Sequence, residues 1–414
     1  MKEIDFSNVF IPEIGVLATD TFSKAYPVVN NYMLNNLKYQ NSRAGVTKEV
    51  LDFKTILSNP YRRCVGGFKR DINVFFLLAE AMWIFHGDKD VKFLTLFNKK
   101  MSDFSDDGVV FHAPYGFRLR HWGVRSEDKF IEENLHASQG YDQVYDSINI
   151  FAENHDTRQV VLQIWNPDLD LGVKSKDLPC NDMVMLKIRD GKLRTTIQNR
   201  SNDLHWGLPT NIFQFSFLTE LIAGCLGVEL GTQVHNSHSL HIYEWNDIAT
   251  TMDEEVKKAD VRHLKDLYSY CKEQRIDLNF THDVPGNRLH ETDFILGLII
   301  SNLKAISNGV SQNSDEILQV KSFSNYLWVS YELCKIYIEY KRDLDGLKLG
   351  EIKINEVDPS NITKIKETND QFRRNALDKI EELHSENDWD IIVLAKNFFA
   401  KRIEGYDHSF LGKL

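Results

Sequence analysis

Nowhere do the 414 residues hold the run of about 18 apolar residues that a membrane-crossing helix needs, and the amino terminus, MKEIDFSNVFIPE, lacks the apolar stretch of a signal peptide. Both absences lead to the expectation of a cytoplasmic protein with no membrane partner. Cysteine is sparse and odd in number. Cys64, Cys180, Cys225, Cys271 and Cys334 form no CxxC pair and no Cys/His cluster, so neither a disulfide framework nor a structural zinc site is indicated and reduced thiols are the simpler reading. Positive charge is in deficit: 49 Lys and Arg stand against 60 Asp and Glu, for a net charge of −11. That balance argues against a mainly electrostatic grip on nucleic acid or an anionic membrane, although a few converging arginines can still make a local anion site. Internal repeats, low-complexity tracts and Gly/Ser linkers are missing as well.

What is present is the composition of a folded globular protein, 42 % hydrophobic and 26 % charged, in a chain long enough for more than one structural unit. The apolar spacing predicts a helix over 21–37 and a second, apolar nearly all round, in INVFFLLAEAMWIF, with Asp71 as its cap. Between Gln159 and Arg200 the pattern turns to short β-rich pieces, VVLQIW, MVMLKI and LRTTIQ, with Asp190-Gly191 as the hairpin turn between the last two. Pro209 precedes a buried-looking helix, NIFQFSFLTELIAGCLGV, stopped around Gly227, and TQVHNSHSLHIYEW reads as a further strand. From about Trp245 onward long amphipathic helical stretches dominate. The expected fold is α+β, a mixed sheet packed with helices, followed by a mainly helical region over 251–414.

Four constellations carry chemistry. Cys180, held after Pro179 at the edge of a strand, reads either as a nucleophile that a nearby guanidinium would activate or as a small buried apolar residue. Glu80, inside VFFLLAEAMWIF, is either a carboxyl with a raised pKa suited to proton transfer or one half of a structural ion pair. The stretch QNRSND at 198–203, followed by GLPTN at 207–211, offers Arg200 and Ser201 for a phosphate and Asn211 for the N3–H and O4 edge of a uracil; it also reads as a strand end, a turn and a helix cap. His241 and Tyr243 alternate onto one face of a strand and suit a sugar hydroxyl, whereas the three-residue spacing of His235, His238 and His241 suits no metal.

Taken in order, NSRAG at 41–45, AEAMWIFHGD at 79–88, APYGFRLRHW at 113–122, DTRQ at 156–159, LPCN at 178–181, QNRSNDLHWGLPTN at 198–211 and SLHIY at 239–243 resemble seven segments of the thymidylate synthase family, which includes the deoxypyrimidine monophosphate hydroxymethylases of phages. The resemblance covers about residues 20 to 250 and implies a thymidylate synthase-like catalytic domain over 1–250. It implies that Cys180 adds to C6 of dUMP and that C5 then accepts one carbon from 5,10-methylenetetrahydrofolate, with no metal. By the same resemblance Glu80 moves the C5 proton and Tyr115 lies near the thiol. Arg43, Arg158, Arg200 and Ser201 hold the phosphate, Asn211 reads the base, and His241 and Tyr243 bind the sugar. Asp203, Gly207 and Trp83 belong to the folate side. Arg158 crosses a dimer interface in this family, so a homodimer is implied.

Several positions depart from the family pattern. Asn181 stands for a His, Gln159 for a second Arg, Thr210 for a Phe, Ser239 for an Asp, and Met101 and Phe104 for two tryptophans against the folate. No G-Y-x-P-x-P tail is present. Methylation to dTMP and hydroxymethylation of the same carbon both remain open, as does an inactive nucleotide-binding member, which the intact Cys180, Glu80, Arg200 and Asn211 argue against.

Overall fold

The computed structural model describes residues 9–42, 45–66, 71–124, 140–258, 266–310, 314–350, 359–383 and 389–404. Arg43 lies outside them. Among the described residues the strands are β1 (Val9–Ile11), β2 (Val16–Thr19), β3 (Tyr39–Ser42), β4 (Gly45–Leu57), β5 (Val161–Gln163), β6 (Asn181–Arg189), β7 (Lys192–Asn199), β8 (Asn202–Asp203) and β9 (Glu229–Tyr243). They form one sheet in the order β1-β2-β4-β9-β7-β6-β5, with β3 on β4 and β8 on β9. Pairing is parallel for β2–β4 and β7–β9 and antiparallel for β4–β9 and β6–β7, so the sheet is mixed. The helices are α1 (Phe22–Asn36), α2 (Val74–His86), α3 (Val91–Thr95), α4 (Tyr115–Arg120), α5 (Gln143–Glu153), α6 (Pro167–Asp170), α7 (Gly207–Leu226), α8 (Ile248–Lys258), α9 (Pro285–Ser307), α10 (Ser314–Phe323), α11 (Asn325–Gly350), α12 (Pro359–Leu383) and α13 (Asp390–Ala400). The α+β reading holds. Among the described residues no helix is long and apolar enough to cross a membrane.

Local chemistry accounts for the boundaries. Thr21 caps α1 by accepting the Ser23 N–H at 3.2 Å. Asp190 and Gly191 both take positive φ, 54° and 68°, the twist that a two-residue turn needs to join β6 to β7. The cap expected of Asp71 belongs instead to Asn73, whose Oδ1 accepts the Phe76 N–H at 3.1 Å. Asp71 lies too far upstream of the first turn and pairs with Lys401 at 2.6 Å and with Arg402. Helix α7 also starts earlier than its apolar run, at Gly207. Pro209 therefore sits in the first turn, where its missing N–H removes no helical hydrogen bond.

Helix α2 is buried at every position except Phe76, Glu80 and His86, which are half-buried, and α7 is almost as deeply covered. A helix apolar all round needs packing on every side. Helices α4 and α7 cover part of α2, and α9, α11 and α13 cover the rest. Phe75 shows how: its ring stacks on Tyr337 of α11 at 4.7 Å and meets Phe398 and Phe399 of α13 edge-on or tilted at 5.4 and 5.6 Å. Burying each such ring contributes about 2–3 kcal/mol.

Arg63, 1 % exposed, forms an ion pair with Glu220 of α7, and Glu220 also accepts the Ile276 N–H at 2.7 Å. Glu220→Ala would strand a buried guanidinium, so the unfolding free energy in urea is expected to fall by about 3–5 kcal/mol. A loss below about 1 kcal/mol would show that the pair does not anchor α7.

Candidate active site

The site begins at the open end of the β6–β7 hairpin. Register places Asn181 opposite Asn199, so the residues just outside the hairpin, Cys180 and Arg200, lie side by side. Arg200 donates its backbone N–H to the Cys180 carbonyl at 3.0 Å. Its Nε and Nη2 donate to the carbonyls of Pro179 and Leu178 at 2.8 and 3.2 Å, and Nη2 stands 4.0 Å from the Cys180 sulfur. The guanidinium rests over the Trp165 ring at 5.6 Å. The cysteine is half-buried rather than sealed, unlike the other four, and positive charge at that distance stabilises a thiolate. On the other side the Tyr115 hydroxyl accepts the Cys180 N–H at 3.3 Å. Burial, with the Cys180 and Asp177 charges nearby, pushes that hydroxyl well above its ordinary range, so Tyr115 keeps its proton. Gly116 makes the placement feasible: an added Cβ would strike the Ile84 carbonyl of α2 at 1.9 Å.

Glu80 projects from α2 and accepts a hydrogen bond from Gln214 of α7. Burial pushes its carboxyl up to about 8, against the opposing pull of the Gln214 N–H. A carboxyl poised there can give or take a proton near neutral pH. Gln214 follows Asn211 by three residues on α7, so both side chains share one helix face. Asn211 accepts from Asn181 at 3.2 Å, and Asn181 is the residue next to the thiol. This path links Glu80, through α7, to the residue next to the thiol. Trp83 shares the face of Glu80, packs edge-on to Phe111 at 5.7 Å, and has a buried Nε1 with no hydrogen-bond partner among the described residues.

The amides continue beyond Asn211. Asn199 donates to Asn181, Asn211 to Asn202 at 3.2 Å, and Asn202 to Ser237 of β9 at 3.1 Å. Ser201 is half-buried beside them. Asp203 accepts the N–H groups of His205 at 2.7 Å and of Trp206 through Oδ1, while Oδ2 is buried without a hydrogen bond among the described residues. Burial pushes its carboxyl up, opposed by the Trp206 N–H and by His241. Gly207 starts α7 here, and a Cβ on it would meet the Asn202 Oδ1 at 2.8 Å. His241 pairs across the sheet with Asp203 on one side and Glu49 on the other. Burial lowers its proton affinity despite both acids. Its ring meets Tyr243 edge-on at 5.0 Å, and Tyr243 stacks on Trp245 at 5.1 Å.

The structure thus gathers Cys180, Glu80, Tyr115, Arg200, Ser201, Asn211, Asp203, Gly207, His241 and Tyr243 around the hairpin mouth and the start of α7. Arg158 is not brought in: it is exposed on the segment before the edge strand β5, and among the described residues no hydrogen bond or ion pair joins it to Arg200. The three spaced histidines diverge. His235 is buried, hydrogen-bonds Gln233 at 2.8 Å and is lowered to about 3 by burial; His238 is exposed and meets Asp52 at 2.9 Å. Phe104 is exposed and Met101 half-buried. Gln214 and Trp165 were not singled out in the sequence as parts of the site, and Asn199 and Asn202 stood in the QNRSND stretch without an assigned role. The signal for Gln214 was a lone amide in an otherwise apolar helix turn.

A group that binds its proton more tightly folded than unfolded loses stabilisation as pH rises from its unfolded toward its folded pKa. For Glu80 that window runs from the ordinary 4.5 to about 8. Glu80→Gln is therefore expected to gain Tm relative to wild type as pH is raised through this window. Parallel Tm–pH curves would contradict the raised carboxyl.

A family model described as thymidylate synthase matches residues 68–282. A deoxyuridylate hydroxymethyltransferase of Bacillus phage SP01 is 42 % identical over 213 residues, covering 51 % of this chain and 54 % of that protein. One of Pseudomonas phage M6 is 40 % identical over 192 residues, 46 % of this chain and 50 % of that protein. Thymidylate synthase 1/2 of Encephalitozoon cuniculi (strain GB-M1) is 35 % identical over 129 residues, 31 % of this chain and 42 % of that protein. The chain spans about half the length of the first two curated relatives.

Proposed function

The chain belongs to the thymidylate synthase family, and from that premise we propose that it is an enzyme that transfers one carbon to C5 of a uracil mononucleotide, dUMP. The observation that carries the proposal is the half-buried Cys180 thiol with the Arg200 guanidinium 4.0 Å away. The Cys180 thiolate forms a bond to C6, and the C5–C6 electron pair moves onto C5 and O4, which makes C5 the nucleophile. Methylenetetrahydrofolate supplies the one-carbon unit as cosubstrate. Glu80, with its carboxyl near 8, holds and moves the proton lost from C5. Asn211 reads the base edge, and His241 with Tyr243 takes the sugar hydroxyl.

The Nε and Nη2 of Arg200 serve the loop carbonyls, while its Nη1 carries no hydrogen bond among the described residues and is available to the phosphate together with Ser201. Arg43 belongs to the same set. The exposed Arg158 would complete it from a second copy, which makes the working unit a homodimer; sedimentation as a single chain would contradict that. On the folate side, the buried Oδ2 of Asp203 and Nε1 of Trp83, without hydrogen-bond partners among the described residues, suit the N–H and acceptor groups of a pterin, and Gly207 belongs to the same side, where its missing Cβ lets Asn202 approach. No metal is assigned a role. Five cysteines without a disulfide support a reducing, cytoplasmic setting, and the acidic net charge gives no reason to add nucleic acid or membrane as partners.

Two products share this chemistry. Formation of dTMP draws support from the similarity to a thymidylate synthase. Hydroxymethylation draws support from the two phage relatives named deoxyuridylate hydroxymethyltransferase and from Phe104, exposed where the family has an aromatic wall. Mass spectrometry of the nucleotide formed from dUMP and methylenetetrahydrofolate decides between them. A methyl product with dihydrofolate identifies a synthase, a hydroxymethyl product with tetrahydrofolate identifies a hydroxymethylase, and unchanged dUMP would overturn the proposal.

A further inference from the structure

Asn211 cannot choose a base alone. A carboxamide has two lone pairs and two N–H groups, and in Asn211 one of each is already taken, by Asn181 and by Asn202 at 3.2 Å apiece. One acceptor and one donor remain side by side, the complement of uracil N3–H and O4. Turned over, the same amide complements cytosine, with its oxygen toward the exocyclic amine and its N–H toward N3. What holds one orientation is the row of side chains around it. Asn199 donates to Asn181, Asn181 to Asn211, Asn211 to Asn202, and Asn202 to Ser237, always in the same direction. Every member is buried, with Asn211 the most accessible at 7 %. Reversing Asn211 by itself would set N–H against N–H at Asn181 and oxygen against oxygen at Asn202, a cost of about 1–3 kcal/mol for each buried group left unpaired. The row must turn as a unit.

Resting on the proposed pyrimidine chemistry, we infer that the direction of this amide row, imposed on Asn211 by Asn181 and Asn202, is what makes the site select uracil over cytosine. Asn181 and Asn202 are positioning residues, acting through Asn211. Two carboxylates on opposite sides of Asn211 test this. Asp at 181 only accepts, so Asn211 must turn its N–H groups toward it; Asn202 and Ser237 then turn in succession, because the Ser237 hydroxyl can donate as readily as accept. Asp at 202 accepts the Asn211 N–H already pointing at it and keeps the direction. Both variants add one negative charge next to the same amide, so a general electrostatic penalty on nucleotide binding is common to both.

The readout is the affinity of the full chain for dUMP and dCMP by calorimetry, near pH 9 so that the new carboxyls are ionised, with unfolding melts as the check on folding. In Asn181→Asp the dUMP-to-dCMP affinity ratio is expected to fall at least about tenfold, and in Asn202→Asp to stay within about threefold of wild type or rise. If Asn181→Asp does not fold, Asn181→Ser replaces it. Its hydroxyl serves either direction, and the ratio should fall. Ratios that move alike in the two Asp variants, or in neither, overturn the inference, as does an unchanged ratio in Asn181→Ser. A uracil-selective wild type with unmoved variants overturns this inference alone, whereas a wild type that binds neither nucleotide overturns it together with the proposed function.

Discussion

Everything in this structure is arranged around a helix that cannot face water. Helix α2, Val74–His86, is apolar on every side, and only Phe76, Glu80 and His86 escape full burial. Helices α4 and α7 cover part of its circumference. The remainder is closed by helices that come much later in the chain, α9, α11 and α13, with the Phe75 cluster as the clearest contact. The helical region after 285 is thus part of the wall around α2. The same burial sets the acid–base character of the site, because desolvation is the main reason the Glu80 carboxyl rises to about 8. The packing of α2 and the raised carboxyl share one cause.

Around that helix the site is put together by register. The β6–β7 hairpin brings Cys180 against Arg200, the start of α7 brings Asn211 and Gln214 over them, and β9 brings His241 and Tyr243 to the rim. Arg200 does two jobs at once: it holds the carbonyls of the loop that carries the thiol, and it presents charge to that thiol. The Asn and Gln side chains tie the hairpin, α7 and β9 together in place of further charges. A site built from neutral amides and few cations fits a chain of net charge −11, because the positive groups act locally.

Much of this was legible in the residues. A helix starting near Thr21, the Asp190-Gly191 turn and the stop at Gly227 follow from local chemistry that operates over a few residues, and each stands where the pattern put it. Cys180, Glu80, Arg200 and Asn211 were visible as types suited to a task, and their order made the family resemblance specific. Local pattern failed where the decision is made at a distance. Asp71 and Asn73 both suit a cap; only the approach of Lys401 and Arg402 from the far end of the chain assigns Asp71 elsewhere. The Glu80–Gln214 pair and the amide row depend on which strand lies beside which and how α7 crosses them, and no spacing along the chain encodes that. Arg158 shows the opposite limit, a residue singled out by its motif that a single copy leaves exposed at the sheet edge.

We propose that Cys180 and Glu80 act on one pyrimidine, the first by adding to C6 and the second by moving the C5 proton. Release of tritium from C5-labelled dUMP into water, measured alongside dUMP binding, tests it directly. Wild type should release the label in the presence of methylenetetrahydrofolate, and Cys180→Ser and Glu80→Gln should each bind dUMP yet lose at least about a hundredfold of the release rate. Label released at the wild-type rate by either variant would contradict the account.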